Sequence, residues 1–245
     1  MRTVVIVQAR IGSERLPGKV LLDLEGKTVL ERVLDRTRRL ERADDVIVAT
    51  SDLASDDRIV HECTRLGVTC FRGSENDVLD RYFGAAKEAR ASVCVRITAD
   101  CPLIDPGVSD SIIRTFEDAT GGADYVSNKI PQSFPRGLDT EVFTAEALER
   151  AWREATADYE RVHVTPYMYR HPEIFRIVPV LSDVDRADWR WTIDTAEDLE
   201  FVREVYRRLG EDGDFAWLEV VALVEANPEL MLINRHIRQK NVELG

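Results

Sequence analysis

The stretch TVVIVQARIGSERLPGKV, residues 3–20, decides the fold. Its opening run, Thr3–Val7, is apolar and β-branched, and polar Gln8 follows at once. A near-continuous apolar run of this length suits a strand buried on both faces, as in a parallel sheet. Behind it comes a loop with Arg10, Gly12, Ser13, Arg15, Pro17, Gly18 and Lys19. Ligands of open α/β sheets bind beyond the carboxyl ends of the strands, so a cationic, glycine-bearing loop there reads as a phosphate site. Gly12 permits close backbone approach. Ser13 offers a hydroxyl and an amide, the arginines forked contacts and the lysine a point charge. The loop is not a P-loop, whose pattern is G-x-x-x-x-G-K-[ST]. Gly12 and Gly18 lie one residue too far apart, and Val20 stands where Ser or Thr would hold magnesium. The plainer alternative is a solvated surface loop, since charged side chains face water.

Outward from this stretch, short β-branched runs at 45–50, 68–71 and 92–97 alternate with helical patterns at 29–42, 54–66 and 78–91. In the first helical pattern Val29, Leu30, Val33, Leu34, Thr37 and Leu40 share a face. Strands separated by helices imply a parallel sheet covered on both sides, a doubly wound α/β arrangement. The second half changes character. A helix is expected at 108–119, then a loop-rich stretch, GGADYVSNKIPQSFPRGLDTEVF (121–143), with short strands at 125–127 and 139–143. Helices at 145–155 and 160–169, strands at 174–180 and 189–193, and amphipathic helices at 195–209 and 215–225 follow. With no repeat, low-complexity tract or linker, the expectation is one domain over 1–245. Residues 1–120 form its nucleotide-binding half and 121–245 its acceptor-binding half and C-terminal helices.

The bulk numbers bound the function. A chain of 245 residues with 44% hydrophobic content can build a full core without disulfides or a structural metal. A net charge of −12 argues against a sequence-independent nucleic-acid binder, yet a basic pocket for a small anion remains compatible with it. Cys63, Cys70, Cys94 and Cys101 form no C-x-x-C, which disfavours a zinc site or a thioredoxin motif. Cys94, in an apolar run, reads as a small core residue. No signal peptide precedes the first strand and no apolar run approaches the roughly 20 residues of a membrane span, so a cytoplasmic protein is expected.

Further clusters meet the first loop at the strand ends. In RITADCPLID (96–105), Asp100 follows an apolar run and Pro102 turns the chain. A carboxylate there suits magnesium, which takes one or two protein carboxylates and shares the rest with water and phosphate. In WRWTIDTAEDLE (189–200), Asp194 is either a second metal carboxylate or a helix N-cap ahead of acidic first-turn residues. Asp105, before Pro106, reads as a helix start. In PRGLDTEVF (135–143), Arg136 could bind an acceptor carboxylate or phosphate. Asp139 and Glu141 share a face if the segment is extended, and could receive sugar hydroxyls or a second metal. A hairpin with an acidic solvent face is the alternative. His163, in ERVHVTPY (160–167), is the most suggestive of the four histidines, as an acceptor-side or a structural residue.

VQARIGSERLPGKVL resembles the nucleotide-binding signature of the sugar cytidylyltransferases, the family of CMP-Kdo and CMP-sialic acid synthetases. RITADCPLID resembles their metal-binding strand end, and WTIDTAEDLEFV is similar to their C-terminal metal-aspartate segment. FRGSENDVLDRY, FPRGLDTEVF, HVTPY and the tail NRHIRQK resemble the SpsF-like branch, the spore coat polysaccharide biosynthesis proteins. The resemblance implies a three-layer nucleotide-diphospho-sugar transferase-like α/β fold with a mostly parallel mixed sheet. It implies that Arg10, Ser13, Arg15 and Lys19 cradle the CTP phosphates and that Asp100 and Asp194 hold Mg2+. It also places Arg81 near the cytidine or its phosphates, and Ala9, Thr50 and Thr98 along the base and ribose. CMP would pass from CTP to an acidic small-molecule acceptor, pyrophosphate would leave, and a homodimer is common among such enzymes. Typical Kdo enzymes lack FPRGLDTEV, which leaves Kdo itself open as the acceptor. The competing readings are a glycosyltransferase, disfavoured because Asp100-Cys101-Pro102 replaces a D-x-D motif, and a non-catalytic nucleotide-binding protein.

Overall fold

The computed structural model describes residues 1–239. Its first strand, β1 (Thr3–Gln8), lies in the interior of a seven-stranded sheet, third from one edge. Parallel partners flank it: β4 (Asp45–Ser51) on one side, with β5 (Thr69–Gly73) beyond, and β6 (Val93–Thr98) on the other. Next to β6 runs β8 (Glu141–Thr144), antiparallel, followed by β7 (Tyr125–Ser127) and β9 (Ile177–Pro179) at the far edge. A small hairpin, β2 (Asp23–Leu24) and β3 (Lys27–Thr28), stands apart. The sheet is mostly parallel, mixed, and built from both halves of the chain.

Helices cover both faces, as the strand pattern demands. Val5 and Val7 enter one hydrophobic cluster with α1 (Val29–Thr37), α2 (Asp57–Leu66), α4 (Pro106–Asp118), α8 (Ala196–Leu209) and α9 (Trp217–Ala226). Val4 and Ile6 enter the other with α3 (Val78–Glu88), α5 (Ala145–Glu154) and α7 (Pro166–Tyr169); α6 (Asp158–His163) packs beside α3. Helix starts follow local chemistry. Thr28, Asp77, Asp105, Thr144 and Thr195 each accept a hydrogen bond from a first-turn amide, the ordinary role of an N-cap. Among the described residues, no helix is long and apolar enough to cross a membrane.

Three segments differ from the sequence expectation. The helix expected over 29–42 ends at Thr37, where the chain tightens into turns that still bury Leu40. The helix expected over 160–169 is two short helices, because Val164 adopts φ +73° and Pro166 opens a new first turn. The strand expected over 189–193 is no ladder strand. Its amides and carbonyls are taken by two loops: Trp191 N–H donates to Arg136 O (2.7 Å), Arg136 N–H to Trp189 O (2.9 Å) and Ile193 N–H to Asp100 O (2.8 Å). Gly137 (φ +111°) makes this fit possible: an added Cβ would lie 2.7 Å from the carbonyl carbon of Trp191. The loop between β7 and β8 is thereby stapled to the segment that leads into Asp194.

The outer helices are tied to the first by buried arginines. Arg36 donates to the carbonyls of Ile104 (2.6 Å), Gly213 (2.6 Å) and Phe215 (2.8 Å) and lies over the Phe215 ring. This fixes the α8–α9 connection, and with it the C-terminal end of α8.

Glu141 is the other buried anchor. It is 1% exposed, pairs with Arg96 across the β6–β8 register, and accepts from Tyr125 Oη (2.7 Å) and Thr165 Oγ1 (2.6 Å), with Lys129 Nζ at 3.6 Å. Burial pushes its carboxyl up, and Lys129, Arg96 and the two hydroxyls more than offset that, bringing it from 4.5 down to about 2. The stability it contributes is therefore complete above its ordinary 4.5 and is lost as pH falls through about 2. Replacing Glu141 by Gln strands two cations and should cost about 3–5 kcal/mol at pH 7. Urea unfolding at pH 7 and pH 3 should show a smaller loss at the lower pH; a loss under 1 kcal/mol at pH 7 would deny the cluster its role.

Candidate active site

The loop after β1 closes on itself before it reaches the sheet edge. Ser13 and Gly18 both donate backbone N–H groups to Ile11 O (2.8 and 3.0 Å), and Gly18 takes the left-handed conformation, φ +69°. That turn sends Lys19 inward, to 8% exposure. Its ammonium donates to Asp100 Oδ2, to Asp194 Oδ1 and to the carbonyl of Ile193, each at 2.7 Å. Burial lowers the lysine's affinity for its proton, but the two carboxylates raise it further, so the ammonium is held. Burial likewise pushes Asp100 up, and Lys19, Thr98 and Cys101 together bring it down to about 2. Asp194 is shifted downward too, against its burial, by Lys19 and Arg190.

Asp194 is not the cap that its local sequence allows. Thr195 accepts from the Asp198 amide (3.3 Å), and the Asp198 carboxylate accepts from the amides of Thr195 (3.0 Å) and Asp194 (2.9 Å), forming a capping box. The Asp194 carboxylate is left to face cations. Its Oδ2 accepts from Arg15 (2.8 Å) and Arg190 (2.6 Å). Thr98 Oγ1 donates to Asp100 Oδ1 (2.6 Å), so Thr98 orients that carboxylate.

On the nucleotide side, Ala9 is buried against β4, whereas Arg10 and Gly12 are exposed and Ser13 is half-buried. The Arg10 guanidinium has no hydrogen bond or ion pair with any described residue. Thr50 is fully buried and donates to Asp56 (3.0 Å), so its side chain is not open to a ligand. Asp56 went unnoticed in the sequence because SDLASDD reads as a helix start. Its carboxylate accepts from Ile11 N (2.8 Å), Thr50 Oγ1 (3.0 Å), Ser51 N (3.1 Å) and Ser51 Oγ (2.6 Å). Oδ1 takes the first of these donors and Oδ2 the other three. Asp56 thus joins the first loop to the end of β4. Arg81, 0% exposed, donates one nitrogen to Ser74 O (2.7 Å), while its Nε and Nη2 have no hydrogen-bond partner among the described residues. Burial lowers its pKa, and Arg10, Asp56 and Glu75 contribute to its field.

On the other half, Arg136 has both backbone groups engaged, yet its guanidinium pairs with no described residue. Asp139 accepts from Gln132 Nε2 (2.9 Å). The Glu141 carboxylate is committed within the sheet, which excludes a solvent-facing acidic hairpin. His163 is half-buried at the end of α6. Lys240, the last residue of NRHIRQK, lies outside the described residues.

Magnesium fits here. Three oxygens, from Asp100, Asp194 and Ile193, already converge on one cationic atom. Among the described residues no group of three or more His, Cys, Asp or Glu forms a self-sufficient metal cage. Two carboxylates with room for water and phosphate is how magnesium is ordinarily held.

A mostly parallel sheet with a cationic loop and paired carboxylates at its carboxyl edge is an arrangement suited to a phosphate-bearing ligand. The chain belongs to the cytidylyltransferase family, whose model matches residues 4–227. It is 36% identical over 232 residues to the spore coat polysaccharide biosynthesis protein SpsF of Bacillus subtilis, covering 91% of this chain and 94% of that one. A cytidylyltransferase structure from Leptospira borgpetersenii superposes with a TM-score of 0.92 at 33% identity, covering 98% of this chain and 100% of the other. A CMP:2-keto-3-deoxy-manno-octonic acid synthetase complexed with CTP shares the fold, with a TM-score of 0.66 at 18% identity over 85% of this chain and 99% of its own.

Asp56→Asn should weaken CTP binding by about tenfold, since an amide would meet at least one of four donors with a donor of its own. Calorimetric titration with CTP, set beside thermal melting, checks this. A lowered melting temperature with unchanged CTP affinity would reduce Asp56 to a fold residue.

Proposed function

We propose that this protein transfers CMP from CTP to an anionic sugar or related acidic acceptor, with magnesium bound and pyrophosphate released, in surface polysaccharide or related biosynthesis. The observation that carries the reading is the convergence of Asp100 and Asp194 on one cationic point at the foot of the glycine-bearing loop. Membership of the cytidylyltransferase family names the nucleotide. The relative involved in spore coat polysaccharide biosynthesis supports the acceptor class.

The chemistry is displacement at the α-phosphorus: an acceptor oxygen attacks in line and the bond to pyrophosphate breaks. Positioning and charge stabilisation do most of the work. Asp100 and Asp194 would hold the magnesium, which would supply Lewis-acid stabilisation of the phosphate charge. Arg10, with no hydrogen bond or ion pair to any described residue, is ready to meet phosphate. Arg15 and Lys19 lie one step away, on Asp194, and can turn to the triphosphate as its charge arrives. They then offset the charge that develops on the leaving group. The buried donors of Arg81 face the same half of the sheet, where the acceptor atoms of a pyrimidine or a phosphate would satisfy them.

Arg136 is the acceptor-side cation in this reading. A carboxylate, phosphate or phosphonate would form a forked, charge-assisted pair with it. A screen of acidic and neutral sugars for CTP-dependent pyrophosphate release tests the function, with ATP and UTP as controls. Release should require CTP and an acidic acceptor. Arg136→Ala should raise the acceptor KM by at least about tenfold, with Arg136→Lys intermediate because it keeps the charge and loses the fork. Full activity of Arg136→Ala would make this arginine structural, and release with neutral sugars alone would overturn the acceptor class.

A further inference from the structure

The tail motif NRHIRQK finds no part in the chemistry above, yet it reaches the site. Asp194 is touched by three cations, and they are not equivalent. Lys19 and Arg15 belong to the loop proposed to take the triphosphate, so both are drawn from Asp194 when nucleotide binds. Arg190 cannot follow them. Its side chain is 5% exposed, and its Nε and Nη2 donate to Asp198 Oδ1 (2.8 Å) and Oδ2 (3.0 Å) in a forked pair. Asp198 itself is completely buried.

Arg190 is in turn held by the C-terminal segment. Asn234, 1% exposed, donates from Nδ2 to the Arg190 carbonyl (3.0 Å) and to Asp198 Oδ1 (3.0 Å). Arg190 Nη1 donates to Gln239 Oε1 (2.7 Å). The network therefore grips Asp194 twice. Asp198 takes its backbone amide (2.9 Å), and Arg190 takes its Oδ2 (2.6 Å). Lys19 holds only Oδ1. When Lys19 leaves, Oδ1 is freed while the carboxylate stays fixed.

We propose that Arg190 is a positioning residue that keeps Asp194 aimed after Lys19 and Arg15 turn to the phosphates, and that Asn234 and Gln239 of the C-terminal segment hold it in place. The segment 234–239 is then a working part of the site. A helix-end ion pair alone would need only Arg190 and Asp198. The contact of the same guanidinium with Asp194, and two further contacts from a segment some 40 residues away, go beyond that need. The proposal rests on the reading of Asp194 as a metal carboxylate.

The test uses Mn2+ as the probe, with the full chain saturated by α,β-methylene CTP, and free Mn2+ is read by electron paramagnetic resonance without turnover. Asp194→Asn serves as the reference. Arg190→Lys and Asn234→Ala should weaken Mn2+ binding by about 10- to 100-fold, the usual effect of removing an outer partner of a metal-holding group. That loss should exceed any loss of CTP affinity measured without metal. Gln239→Ala, at an exposed position, leaves the core untouched and should shift Mn2+ affinity in the same direction by a smaller factor, so the idea stays testable if the buried variants do not fold. If Asp194→Asn loses Mn2+ while folded Arg190→Lys, Asn234→Ala and Gln239→Ala bind it normally, the segment is only a clasp on α8 and the proposal is wrong. If Asp194→Asn binds Mn2+ normally, the metal reading of Asp194 fails and the proposal falls with it.

Discussion

The Lys19 ammonium lies 2.7 Å from each of three oxygens that come from the middle and the end of the chain. Everything at the sheet edge is arranged around that contact. Two carboxylates brought this close repel strongly in a low-dielectric setting, so they coexist only because a cation stands between them. The wider cluster balances: Lys19, Arg15 and Arg190 face Asp100, Asp194 and Asp198, three charges of each sign. Buried ion networks add little net stability compared with apolar packing, because desolvation cancels much of the attraction. What this one does is fix geometry. It joins the first loop, the end of β6 and the start of α8 at a single point.

The second half of the chain is tied to that geometry through its backbone. Strands β8 and β7 extend the sheet beyond β6, and the loop between them is bonded to 189–191, only three residues before Asp194. Gly137 permits the close approach. Arg136 is therefore held relative to the carboxylate pair through backbone hydrogen bonds, which fix distance better than flexible side chains do. Glu141 anchors the same region from beneath, tying β8 to β6 through Arg96 and to the helical face through Thr165. The carboxylate pair and Arg136 are reached from different strands, and the sheet keeps them in register.

Much of this was legible in the sequence, for identifiable reasons. Buried parallel strands announce themselves as continuous apolar runs, as β1 does, and the short β7 also begins and ends where it is expected. One helix start was legible through its cap, Asp105 ahead of Pro106. What could not be read was contact between distant residues. Asp194 looks like a cap locally, and only the folded chain shows Thr195 and Asp198 doing the capping. Asp56 and Arg190 carry no motif of their own; each matters through partners 45 and 44 residues away, Ile11 and Asn234. The segment 189–193 has strand composition yet pairs with loops, a tertiary choice that alternation cannot encode. Glu141 shows the converse error of local reading. Its alternation suggested a side chain turned to a ligand or to solvent, whereas it turns to buried cations.

A double-mutant cycle on Lys19 and Asp194 tests the central joint most directly. Chemical unfolding would be measured for the unaltered chain, for Lys19→Met, for Asp194→Asn and for the pair. If the ammonium holds the two carboxylates together, Lys19→Met leaves them opposed and is strongly destabilising, and adding Asp194→Asn restores part of the loss. The coupling should then be at least about 1 kcal/mol, within the range for contacting charged residues. Single losses that add to within about 0.5 kcal/mol would mean the two groups act independently, and would contradict the account.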